Sequence, residues 1–284
     1  MTVVLFAVLS SIAFGGSDFC GGLASRRFAT LKVLVVAAPT TLVIDLVALP
    51  TLGGSWSVAA GVWGGLSGVA YTVGFALLYW CLANGPIIVL SPVSATVSAV
   101  IPVAAGLSFG ETLTSMGIAG TVIAIVAVSL LGLSGGESRQ GSTRPTLLTL
   151  GAAVGAGAAI ALQLICLDRA PHDSGMAPVV AGSAVASLLV WTTVLVVHAD
   201  ISSEGRLQDW SAAIASGALD SLATIAFVLA VRSGDLAVVA VITALYPAAT
   251  VALARIFLRE RVSRIQFGGL VTAGLAVTLL ALSS

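Results

Sequence analysis

Charge is scarce in this 284-residue sequence: Asp, Glu, Lys and Arg make up 8% of it, divided evenly between twelve acids and twelve bases. A soluble globular domain carries about 25% charged residues, so a water-facing surface of this size is excluded. The even balance leaves no basic patch for nucleic acid and no acidic tail for a basic partner. Cysteine and histidine are sparse as well. Cys20, Cys81 and Cys166 lie in apolar stretches without C-x-x-C spacing, and His172 and His198 have no Cys or carboxylate cluster around them at ligand spacing. No metal and no cofactor is expected. The phosphate-cradling G-x-x-x-x-G-K-[ST] loop is absent, and so is H-E-x-x-H. Energy for any transport would therefore come from a gradient or from exchange, and no nucleophile can be paired with a base, so an enzyme is not expected.

What fills the chain is apolar, 58% by count with a mean hydropathy of +1.12. The apolar segments are long and continuous, as a membrane-spanning helix of about 20 residues requires, and lack the short alternation of a barrel strand. Breaks at charges and at Gly, Pro and Asn clusters delimit ten: near 2–24, 32–51, 57–82, 86–109, 114–133, 146–167, 176–198, 210–231, 235–257 and 264–283. The first begins without a basic leader or a cleavage site and reads as a retained span. The third and fourth meet at Asn84-Gly85-Pro86, which predicts a tight antiparallel hairpin, and Ser134 to Pro145 is the only sizeable polar stretch.

The two halves repeat. A shift of 149 places Glu111 on Glu260, Ser67-Gly68 on Ser216-Gly217, Gly85 on Gly234 and Gly120 on Gly269 without gaps. Five helices is an odd number, so matched helices must cross in opposite directions, which is an inverted repeat. The expected fold is an all-α polytopic membrane protein of ten transmembrane helices, arranged as two inverted five-helix repeats around a central cavity. Repeat one is 1–138, the linker 139–145 and repeat two 146–284. Basic residues favour the odd-numbered connections, with Arg26, Arg27, Lys32 and Arg206 among them, against Arg169 and Arg232 on the even ones. The positive-inside rule then places both termini outside the cytoplasm, in a membrane read as the prokaryotic inner membrane.

Ile242-Thr-Ala-Leu-Tyr246-Pro247, then Phe257-Leu-Arg-Glu260-Arg-Val-Ser263 and Gln266-Phe-Gly268-Gly269, resembles the signature end of an EamA domain of the drug/metabolite transporter superfamily. The first half repeats it more loosely through Ile101-Pro102, Phe109-Gly110-Glu111 and Gly117-Ile-Ala-Gly120, with Ser98 where the second half has Pro247. The resemblance spans essentially the whole chain as two copies. It implies ten helices, a cavity between the halves and movement of small organic solutes, often export of amino acids, metabolites or drugs.

Glu111 and Glu260 each precede a helix start, and Ser263-Arg-Ile-Gln266 has the form of a capping box, with Thr114 matching Ser263. These four, Glu111, Glu260, Ser263 and Gln266, read as structural. Glu260→Gln is accordingly expected to lower stability more than it alters substrate preference, as melting and binding assays of one preparation would show. Carboxylates within spans are costly and mark cavities or partners. Asp220 lies mid-span, matched by Tyr71 across the repeat, and Asp18 follows Gly15-Gly16-Ser17, while Asp45 sits nearer an interface. Gln163, Ser94, Thr243 and Tyr246 complete the expected lining, and the prolines of the fourth and ninth spans predict kinked walls or gates. With no Lys or Arg cluster inside the spans, the solute is expected to be neutral or zwitterionic and protons to be the candidate coupling ion. The competing expectation is a membrane receptor, scaffold or lipid-handling protein that turns over no solute.

Overall fold

The computed structural model describes residues 2–25, 28–84, 87–133, 146–198, 207–257 and 263–283. Among these there is no strand, only helices: α1 (Thr2–Ser25), α2 (Thr30–Leu52), α3 (Val58–Asn84), α4 (Ile87–Ser108) and α5 (Ser115–Leu133). The second half follows with α6 (Leu147–Arg169), α7 (Ala177–Val197), α8 (Leu207–Val231), α9 (Leu236–Thr243), α10 (Tyr246–Phe257) and α11 (Arg264–Ser283). Eight described segments are long and apolar enough to cross a membrane, α9 and α10 together forming one of them; Val93–Ser108 and Ser115–Leu131 are apolar but shorter. Large apolar side chains such as Leu5, Val47, Leu188 and Leu195 stand exposed along the helices, the surface that lipid, rather than water, accommodates. Gly85 and Pro86 of the expected hairpin, the Ser134–Pro145 linker and Glu260 fall outside the described residues.

The ninth span is broken where the sequence places Pro247. Proline lacks the N–H that would bond to the carbonyl of Thr243, and its ring crowds that carbonyl. The chain accordingly turns at Ala244–Leu245, with the Leu245 N–H donating to Ile242 at 3.2 Å, before helix resumes at Tyr246. The fourth span behaves differently. α4 runs unbroken through Pro92 and Pro102, so the two proline-bearing spans differ, one interrupted and one continuous. At the position matching Pro247, Ser98 keeps a backbone N–H, and its hydroxyl donates to the Ala95 carbonyl at 2.9 Å.

The main helix contacts join the halves: α1 packs on α8, α3 on α6 and α7, α2 on α7 and α8, and α5 on α11. In the last pair Gly120, near the start of α5, meets Leu280 near the end of α11, and Gly269 near the start of α11 meets Leu131 near the end of α5. The two helices therefore run antiparallel. A carbon added at Gly269 would lie 2.9 Å from the Leu131 Cγ, whereas one at Gly274 meets nothing within 4 Å. Gly269→Val is expected to lower the melting temperature through an overpacking cost of about 1–3 kcal/mol, and Gly274→Val to leave it in place. Equal melting of the two variants would refute this packing.

On one face of the bundle the connections after α2, α4, α6 and α8 are joined to one another or to neighbouring helix ends. Met176 N–H donates to the Gly53 carbonyl at 2.9 Å, and the Ser55 hydroxyl donates to the Asp173 carbonyl at 3.1 Å. The Arg232 guanidinium donates to the carbonyls of Gly175 at 3.1 Å, Pro171 at 3.3 Å and His172. Arg169, at the end of α6, lies 4.4 Å over the Phe109 ring. Glu111 completes the layer: its carboxylate accepts from the N–H groups of Leu236 at 2.8 Å and Ala237 at 2.9 Å. The helix it caps is thus α9, in the other half, rather than the α5 that it precedes in sequence. Gly106 makes this possible, since a side-chain carbon there would collide with the carboxylate.

Candidate functional site

Three adjoining pockets lie within the bundle, taking in about 420, 580 and 390 Å³ of empty space with the part open to solvent included. Tyr71 of α3 lines all three and so stands where they meet. Asp220 lines the first and third, Asp18 the second and third, and Gln163 the first and second. Thr243 and Tyr246, on either side of the helix break, face the second. The sequence-derived candidates thus gather in one region with a single exception. Ser94 lines none of the pockets: it is buried, and its carbonyl sits against Gly157 of α6, while Ser98, one turn on, reaches the second pocket.

Close packing of α1 positions Asp18. Gly15 lies against the backbone of Tyr246 and the side chain of Ala249, where any side-chain carbon would collide, and Thr250 donates to its carbonyl at 3.1 Å. On the α8 side the Ser17 hydroxyl donates to the Ser216 carbonyl at 2.9 Å, and the Ser216 hydroxyl donates back to the Ser17 carbonyl at 3.0 Å. Held on both sides, α1 presents Asp18 exposed to the cavity and hydrogen-bonded to no described residue.

Asp45, expected nearer an interface and outside the cavity lining, also faces the cavity. Its side chain is 0% exposed, lines the first pocket with Asp220, and accepts through Oδ1 from the Ser221 hydroxyl of α8, while Oδ2 has no hydrogen-bond partner. Depth along the span suggested an interface; the i, i+4 relation to Thr41 was the missed signal, since residues four apart share a helix face. Thr41 donates to the Gly217 carbonyl at 2.9 Å, so that face of α2 is the one turned toward α8. At the structural positions, Ser263 N–H donates to Gln266 Oε1 at 3.0 Å and Gln266 N–H donates to Ser263 Oγ at 3.1 Å, a reciprocal cap on α11. Its counterpart on α5 is Thr114, which accepts from Gly117 N–H at 3.1 Å.

The cavity is chemically one-sided. Carboxylates come from α1, α2 and α8, and aromatic rings from α1, α3 and α10, yet no Lys, Arg or His lines any of the three pockets. Among the described residues no group of His, Cys, Asp or Glu is placed to hold a metal ion.

Apolar helices long enough to span a bilayer, an apolar exterior and a partly polar cavity among the helices define an integral, multi-pass membrane protein with an internal cavity. Residues 146–282 match the model of the EamA-like transporter family, a family of the drug/metabolite transporter superfamily. The fold is that of a solved structure described only as "Crystal structure of protein": the TM-score is 0.78 at 15% identity, covering 99% of this chain and 96% of that one. No curated protein matches the chain.

Proposed function

We propose that the protein is a secondary transporter, working as an exporter, that moves a small neutral or zwitterionic organic solute by alternating access. The observation that carries this reading is the central cavity, built by helices of both halves and lined by Tyr71, Gln163 and Asp220 where its pockets adjoin. In such proteins two inverted repeats rock against each other around a midplane site, often beside a discontinuous helix. Three features support that arrangement here: the 149-residue repeat, the antiparallel α5 and α11 with their reciprocal Gly–Leu contacts, and the interrupted ninth span. The halves are 1–138 and 146–284, the family match falling within the second. Both termini lie outside the cytoplasm, and the membrane is the inner membrane of a prokaryotic cell, as the charge bias favours.

The test is reconstitution into liposomes after a metabolomic comparison of medium from overexpressing and deleted cells has nominated solutes. Solute flux that rises with protein content, and that follows an imposed solute or pH gradient, is expected. Protein that folds and binds a nominated solute but moves none under any gradient would instead identify a receptor, scaffold or lipid-handling protein.

A further inference from the structure

We infer that the second pocket contains a subsite for a protonated amine on the solute, formed by the Asp18 carboxylate and the broken turn at Thr243. This rests on the reading of the cavity as a solute site, and it names the group that the site recognises. Three independent observations meet there. Asp18 faces the pocket and bonds to no described residue. Across the pocket Thr243 is 2% exposed, and its hydroxyl has no hydrogen-bond partner although it lines the space. The Thr243 carbonyl, facing a proline at position 247, cannot receive the N–H that an unbroken helix would send it. Leaving a buried hydroxyl unsatisfied is unfavourable, so a ligand that bonds to it is favoured.

The character of these groups selects the ligand. A carboxylate and a freed carbonyl are acceptors only, and a hydroxyl serves as either donor or acceptor. No cationic side chain lines the pocket to neutralise Asp18. An ammonium group supplies the positive charge and up to three donors on one atom. Tyr71 and Phe75, with ring centroids 4.5 Å apart, line the same pocket, and aromatic faces attract ammonium through their quadrupoles. Phe14, Leu78, Ile160 and Leu164 also line the pocket, beside the polar Ser98 and Gln163, and suit an apolar body attached to that amine. A carboxylate on the solute finds no cationic side chain in this pocket, so a zwitterionic solute is held here through its ammonium end alone.

Binding to the purified full-length protein, followed by tryptophan fluorescence or calorimetry, tests this with phenethylamine, 2-phenylethanol, 3-phenylpropionate and phenylalanine as probes. Phenethylamine is expected to bind at least about tenfold more tightly than the alcohol, a difference of about 1.4 kcal/mol, and the propionate most weakly. Asp18→Asn and Thr243→Val, both close to isosteric, are expected to narrow the amine-to-alcohol ratio, Asp18→Asn abolishing it, with melting temperatures near that of the parent. Equal affinity for amine and alcohol, binding of none of the probes, or a ratio preserved in Asp18→Asn overturns the assignment. Liposome flux separates the two readings. Amine-selective binding without flux of any solute leaves the subsite standing and sinks transport; flux of a nominated solute without amine selectivity does the reverse.

Discussion

Replacing Glu111 by Ala is expected to destabilise the protein by about 2–4 kcal/mol, from two hydrogen bonds to an ionised acceptor and the favourable placement of negative charge at a helix start. The two N–H groups it leaves behind, of Leu236 and Ala237, belong to residues that are 0% exposed, with no water to replace the carboxylate. Glu111→Gln keeps one acceptor oxygen and is expected to fall between. Gly106→Ala should mimic the loss by pushing the carboxylate off the helix end. Because both changes act on one contact, the double variant is expected to melt well above the sum of the two losses. Melting of the purified protein followed by tryptophan fluorescence measures all four. A Glu111→Ala protein that melts like the parent yet binds solute far more weakly would move this carboxylate from the scaffold to the solute.

That contact also marks where sequence reading stopped. Glu111 was legible as a helix-start carboxylate because such a group belongs beside exposed N–H groups. Which helix it serves was not legible: α9 lies 125 positions further on, and only the turn at Gly110, with φ of 97°, together with the gap at Gly106, directs the side chain there. The span boundaries were readable for the opposite reason, since hydropathy and helix length are local properties. The cavity falls between these cases. Asp18, Tyr71, Gln163 and Asp220 stand out as polar groups in apolar spans, whereas the inward direction of Asp45 was not legible, because depth along a helix says nothing about which side a residue faces. Thr243 and Tyr246 were marked by Pro247, but Pro102 carries the same signal and α4 continues through it. A proline breaks or merely bends a membrane helix according to what its neighbours offer the freed carbonyl, and that is set by packing between halves.

Asp220→Asn is expected to uncouple transport from a proton gradient while leaving downhill solute exchange in place. Asp220 is buried, lines two of the three pockets that meet at Tyr71, and shares one of them with Asp45 and the other with Asp18. Ionised carboxylates facing one cavity without a cationic side chain repel one another, and a bound proton relieves that repulsion. If the cavity opens to one side and then the other, a proton taken up at Asp220 on one side is released on the other, and its presence alters solute affinity by a coupling energy shared by both ligands. Asn keeps the shape of the side chain but carries no exchangeable charge. In liposomes the pH-driven component of flux is expected to fall on the order of tenfold, within the range typical of such coupling, with exchange down the solute's own gradient nearly unchanged. The same measurement on Asp18→Asn and Asp45→Asn assigns the role among the three carboxylates. Undiminished pH-driven flux in Asp220→Asn would remove that residue from the coupling step and leave it as part of the α8 packing surface.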